Sequence, residues 1–252
     1  MLKLSAIPLF VLLCGFTLLP GLAAQNSIPP GTVLPAMLSS SLDAKRDRPG
    51  QKVVATIMQR VPLPSGRSIP AGAKLLGYVL EVKAPTANSG AVIRLRFDRI
   101  VSRGKEWPLV VNLRALASMM EVHEAELPTN AGPDRGTSPN VWTTVQVGGD
   151  VVYRGGGPVM AGNDVVGEPV PDGVLVRLTS PKGSKCRPGI DGNDSPQALW
   201  IFSSSACGAY GFSDLIVMHA GRTDPRGEIE LASAKGNLKV RGGGGLLVRV
   251  LP

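Results

Sequence analysis

Aromatic residues make up only 4% of this 252-residue chain, and histidine occurs twice. So few flat side chains leave no platform on which successive bases could stack, so no nucleic-acid partner is expected. The two histidines, His123 and His219, supply little for metal or proton-transfer chemistry. "HEAEL" at His123 lacks the second histidine, four residues on, of a zinc-protease helix. His219 can be grouped on paper with Asp214 or Asp224 and with Ser203–Ser205 as a hydrolase, the third reading considered. No Gly-x-Ser-x-Gly turn presents the nucleophile for it. "DGNDSP" at Asp191 starts like a calcium loop, but Phe202 stands where the bidentate Glu is needed. The glycine runs Gly155–Gly157 and Gly242–Gly245 lack the Gly-Lys-Ser/Thr ending of a phosphate loop. No catalytic residue, metal site or cofactor is therefore expected.

Long apolar runs are missing beyond the N-terminus. Lys3, the apolar stretch Ile7–Leu19 and the small residues before Ala24 have the layout of an export signal, expected over 1–24 and removed. Pro8, Gly15 and Pro20 cut it short of the ~20 residues a spanning helix needs. Leu13, a large residue before Cys14, argues against lipidation at that cysteine. Cleavage leaves two cysteines, Cys186 and Cys207, which in a periplasmic or secreted protein read as one disulfide. Closing a loop of that length stabilises a fold by about 3 kcal/mol in the chain-entropy treatment.

Glycine (31) and proline (22) are abundant, while hydrophobic content is an ordinary 43%, so they punctuate turns in a folded chain. Ile-Pro-x-Gly leads into an apolar stretch at Ile28–Leu34 and again at Ile69–Leu76, and "VRGGGGLLVRVL" echoes it at Val240–Leu251. Proline sets φ and glycine permits φ > 0, so Pro30-Gly31 and Pro70-Ala71-Gly72 are expected to be strand-opening turns. Three such openings predict an all-β fold: a closed or partly open barrel whose last strand returns to its first.

Along the chain, Thr32–Leu42 is expected to be a strand placed at an edge or bulged by Pro35. Ile93, Leu95 and Phe97 alternate with Arg94, Arg96 and Asp98, and the phase slips at Arg99, which predicts a β-bulge. Trp107 to Ala115 also alternates and is expected to keep one wet face. Ala115–Leu127 is the only candidate helix, and the alternative is a continued strand followed by a loop. The barrel is expected over 25–162, a β-rich, disulfide-stapled insertion over 163–235, and the closing strands over 236–252.

Formal charge is +8, and it is uneven: Asn26–Gly162 holds 16 basic against 10 acidic residues, Asn163–Pro252 10 against 9. Arg94, Arg96 and Arg99 are the candidate interaction face, and an anionic lipid or glycan surface is the candidate ligand. The alternative is a solvated basic surface.

"IPPGTVLPAMLSSSLDA", "IPAGAKLLGYVLEV" and "GNLKVRGGGGLLVRVL" together resemble the C-terminal barrel of the TrbI-like family of bacterial type IV secretion and conjugation systems. The resemblance covers about Ile28–Arg103 and Gly236–Val250. It implies a non-enzymatic envelope scaffold or assembly component, with envelope proteins or further copies of itself as partners. The second expectation is a periplasmic binding module for an anionic envelope ligand.

Overall fold

The computed structural model describes residues 27–129, 142–180, 183, 186 and 195–252. The expected export signal, the Asp191 loop and most of 128–140 lie outside them. The first strands are β1 (Val33–Leu38), β2 (Leu42–Asp43), β3 (Lys52–Ile57), β4 (Val61–Pro62) and β5 (Ser68–Ile69). They are followed by β6 (Lys74–Lys83), β7 (Val92–Ser102), β8 (Lys105–Pro108) and β9 (Val111–Ala117). Helix α1 (Met119–Glu126) comes next, capped by Ser118, whose hydroxyl accepts from the Glu121 amide. After it come β10 (Thr143–Val145), β11 (Val151–Tyr153), β12 (Val159–Ala161), β13 (Asp164–Val170), β14 (Gly173–Val176) and β15 (Gln197–Ala198). The last are β16 (Gly208–Tyr210), β17 (Leu215–Met218), β18 (Ile229–Ser233), β19 (Lys239–Val240) and β20 (Gly245–Val250).

The main sheet runs β16-β9-β20-β1-β3-β6-β7-β18-β17, with β8 paired to β7. Its two end strands touch, so the sheet curls into a nearly closed barrel. The first and last strands lie side by side, Val33 opposite Arg249 and Met37 opposite Gly245. Leu34, Ile57, Leu75, Ile93, Phe97, Leu113 and Val248 fill the interior.

One turn design recurs around the barrel. At Pro29–Thr32 the Thr32 amide bonds the Pro29 carbonyl, and Gly31 sits at φ +83°. Gly31 N–H then donates to Val250 O, while Val250 N–H donates to Thr32 O, the two-against-one pairing of a glycine bulge. Pro70–Ala73 repeats it against Ile57, and Arg241–Gly244 against Leu38. Arg48–Gln51, with Pro49-Gly50 at its tip, repeats it a fourth time against Val79.

On β7, Ile93, Leu95 and Phe97 are buried and Arg94 and Arg96 half-buried, as alternation requires. The register across β6 passes from Leu76↔Arg99 to Gly77↔Phe97, so Asp98 is the bulged residue. Three expectations are corrected. Pro35 is interior, between β20 and β3, because its missing N–H falls where the β3 ladder ends; its carbonyl still accepts from Met58 at 3.1 Å. Trp107–Ala115 is two strands, β8 and β9, and β9 has no wet face: all seven of its residues are buried, Asn112 and Arg114 included. The reason is a second layer.

That layer is a six-stranded sheet, β10-β11-β12-β13-β14-β15. It begins at Thr143, so the boundary drawn after 162 falls between its strands β12 and β13, while β16, β17 and β18 belong to the barrel. Val152, Val159, Val174 and Phe202 pack with Val33, Ala115 and Leu247, residues on the outer wall of β1, β9 and β20. Those barrel strands are thus covered on both faces, which explains their unbroken burial. Cys186 and Cys207 form the expected disulfide, with Cα atoms 6.3 Å apart.

Candidate interaction surfaces

Arg94, Arg96 and Arg99 stand side by side on the outer face of β7, and each is matched by carboxylates. Arg94 Nε donates to Glu230 at 2.7 Å and Nη1 to Glu81 at 2.9 Å. The Glu230 hydrogen bond is the main reason its guanidinium is held above its ordinary value. Arg96 lies 3.9 Å from Glu228, and Arg99 is 2.8 Å from Asp98 and 3.7 Å from Glu106. The geometry makes this row a neutralised ladder and not a free cationic face. Sequence alternation placed Arg94 and Arg96 on one face, and the bulge at Asp98 brings Arg99 onto it. Glu230 on β18 is 136 residues from Arg94, and Glu228 just precedes that strand, so neither partner is legible locally.

A second cluster of cations lies elsewhere, at one end of the barrel. Arg60 after β3, Arg67 between β4 and β5, and Arg103 and Lys105 at the β7–β8 hairpin line a cleft of about 350 Å³ with Trp107. Its apolar side is formed by Ile28, Leu63 and Ile69. Strand alternation sends Glu106 the other way, to Arg99. The four cations are spread over 46 positions of sequence (60 to 105), so only the shared barrel end unites them. The one local clue is a pair of cations flanking Gly104 at a hairpin tip.

The solvent face of the second sheet carries an apolar row. Val145 lies opposite Val151, Val151 opposite Met160, and Met160 opposite Val165, so the four side chains cross four strands on one face. Val145 is 40% and Val165 68% exposed. The opposite face, through Thr144, Val152 and Val159, is buried against the barrel wall. The row is an apolar strip on the face of the second sheet turned away from the barrel. Sequence inspection missed the row because β10, β11 and β12 are only three residues each.

A further cleft of about 630 Å³ lies between α1, the β13–β14 turn and Trp142 and Trp200. Arg154 reaches into it, but its Nε is tied to Thr144 Oγ1 at 3.2 Å and its Nη1 to the Gly173 carbonyl at 3.0 Å. Burial lowers its pKa, and its contacts clamp the β13–β14 turn. Two other arginines, Arg114 and Arg249, are buried between the barrel and the second layer. Arg114 Nη2 donates to the Thr179 carbonyl at 2.6 Å. Desolvation first, and the Arg249 charge second, bring Arg114 down to about 10.

Of the two aspartates grouped with His219, Asp224 lines a cleft with it and Asp214 does not reach it. Asp214 and His219 sit beyond opposite ends of the extended strand β17, a span of roughly 15 Å. Ser203 is fully buried against Gly148 of the second layer, and Ser204 is tied by its amide to Asp150. His123 is exposed on α1. Among the described residues no group of three His, Cys, Asp or Glu side chains is placed to hold a metal ion. None of their helices is long and apolar enough to cross a membrane.

No family model matches the chain, and no curated protein matches it.

Proposed function

We propose that this protein is an exported, non-enzymatic β-barrel that works as a scaffold or assembly component of the bacterial cell envelope. The apolar row Val145–Val151–Met160–Val165 carries this reading: it is an ordered, solvent-facing strip on a layer whose other face is already committed to the barrel. Its partner is an envelope protein or a second copy that lays an apolar face on it. Export is supported by the Cys186–Cys207 disulfide, which persists in oxidising compartments. Assignment to a type IV secretion-like complex rests on the TrbI-like resemblance and on the barrel in which the last strand pairs with the first.

The test replaces Met160 and Val165 by lysine, at positions where both side chains already touch solvent. The expected result is an unchanged melting temperature together with loss of the partner, or of the dimer, from cross-linked cells. A wild-type protein that remains monomeric and captures nothing specific contradicts the reading.

A further inference from the structure

The cleft at the β4–β5 and β7–β8 end of the barrel is independent of that apolar row and has its own chemistry. Among the described residues, Arg60, Arg103 and Lys105 make no ion pair and no side-chain hydrogen bond, although carboxylates occupy every arginine on β7. Three exposed cations facing one hollow add their positive potentials there, and an anion seated between them is attracted by all three. The hairpin tip adds a second observation. Arg103 is at φ +50° and Gly104 at φ +73°, the geometry of a two-residue turn in which the first position favours Asn, Asp or Gly. An arginine there carries a backbone cost with no contact in the fold to offset it. Trp107 and Ile69 give the hollow an apolar wall beside the charges.

From this geometry we infer that the cleft binds a phosphate-bearing anion: two guanidinium forks and one ammonium around tetrahedral oxygens, with an apolar neighbour against Trp107. Guanidinium pairs match phosphate oxygens two at a time, and the ammonium adds a point charge. The same chemistry is offered by a phospholipid headgroup and by a soluble phosphate compound. The wall formed by Trp107 and Ile69 suits the acyl-proximal part of a headgroup.

The experiment uses the purified exported protein with vesicles of phosphatidylglycerol and phosphatidylcholine, with vesicles of phosphatidylcholine alone, and with pyrophosphate in solution. Retention on the phosphatidylglycerol vesicles, weakened by salt and competed by pyrophosphate, identifies a lipid phosphate. Pyrophosphate binding without vesicle retention identifies a soluble phosphate and equally supports the site. The variant carrying Arg60→Gln, Arg103→Asn and Lys105→Gln, in which Asn keeps the turn geometry, is expected to lose about tenfold or more in affinity. Its melting temperature is expected to equal or exceed that of the wild type, since the turn strain at position 103 and the mutual repulsion are relieved. Arg94→Gln with Arg96→Gln is expected to bind as wild type, since those guanidiniums are already paired. Absence of binding to any probe, a triple variant that binds as wild type, or an equal loss in the Arg94/Arg96 variant overturns the inference. None of these outcomes depends on whether Met160 and Val165 dock a partner.

Discussion

The side chain of Gln59 and the main chain of Val174 exchange two hydrogen bonds: Nε2 donates to the Val174 carbonyl at 2.7 Å, and Oε1 accepts from its amide at 3.3 Å. Oε1 also accepts from Trp200 N–H at 2.6 Å. A barrel residue thus stands in for a strand partner of the second layer. Gln59→Leu would remove the acceptor of the Val174 and Trp200 amides, each worth about 1–3 kcal/mol, while the Val174 carbonyl keeps the Leu199 amide. The expected loss is on the order of 3 kcal/mol by urea unfolding. Faster hydrogen exchange is expected in β14 before β1, since Gln59 acts on the second layer.

Two glycines of β6 and its opening turn separate strain from collision. Gly72 is at φ +85° with open space where a Cβ would go, so Gly72→Ala is expected to cost about 1–2 kcal/mol through backbone strain alone. A Cβ on Gly77 would run into the Arg96 carbonyl across the β6–β7 bulge. Gly77→Ala is expected to prevent stable folding, read as loss of a cooperative thermal transition.

Reduction tests the staple. Cys207→Ser, or reductant on the wild type, is expected to remove about 3 kcal/mol, and reductant should then leave the Cys207→Ser protein unchanged.

Two aspartates give opposite pH signatures. Asp43 is held below its ordinary pKa, chiefly by the Asn237 hydrogen bond at 2.8 Å and also by the Lys45 amide. Its contribution is complete above the ordinary aspartate value and is lost as pH falls through the lowered one. Asp150 is raised because burial outweighs its hydrogen bonds from Ser204, so its ionised form weakens the fold and acidification relieves it. Asp43→Asn should therefore lose stability at neutral pH and flatten the acid limb. Asp150→Asn should hold or gain stability at neutral pH. Urea midpoints between pH 3 and 7 check both signs, the range in which aspartates titrate.

What could be read from the residues was local or periodic. The Pro-x-Gly openings and the β7 alternation with its slip at Asp98 carry local signals, and the repeated opening before the last strand pointed to its return to the first. Of the stretch Ala115–Leu127 only Met119–Glu126 is helical, because Ala115–Ala117 complete β9. The double coverage of β9 and β20 carries no local signal, because Asn112, Arg114 and Arg249 look like wet-face residues until a second layer lies on them. Asn112 shows how such a residue is satisfied: it bonds the Arg222 and Pro225 carbonyls and the Gly227 amide. The charge census carries no signal of long-range pairing either. It counted arginines, and the β18 segment returned glutamates to the ones that looked most accessible.

The most direct measurement is a photo-reactive residue placed at Val165 in living cells, with Ile216 on the barrel wall, itself 52% exposed, as the control position. The account predicts a discrete adduct from Val165, to one envelope protein or to a second copy, and none from Ile216. Equal, diffuse labelling from the two positions would contradict it.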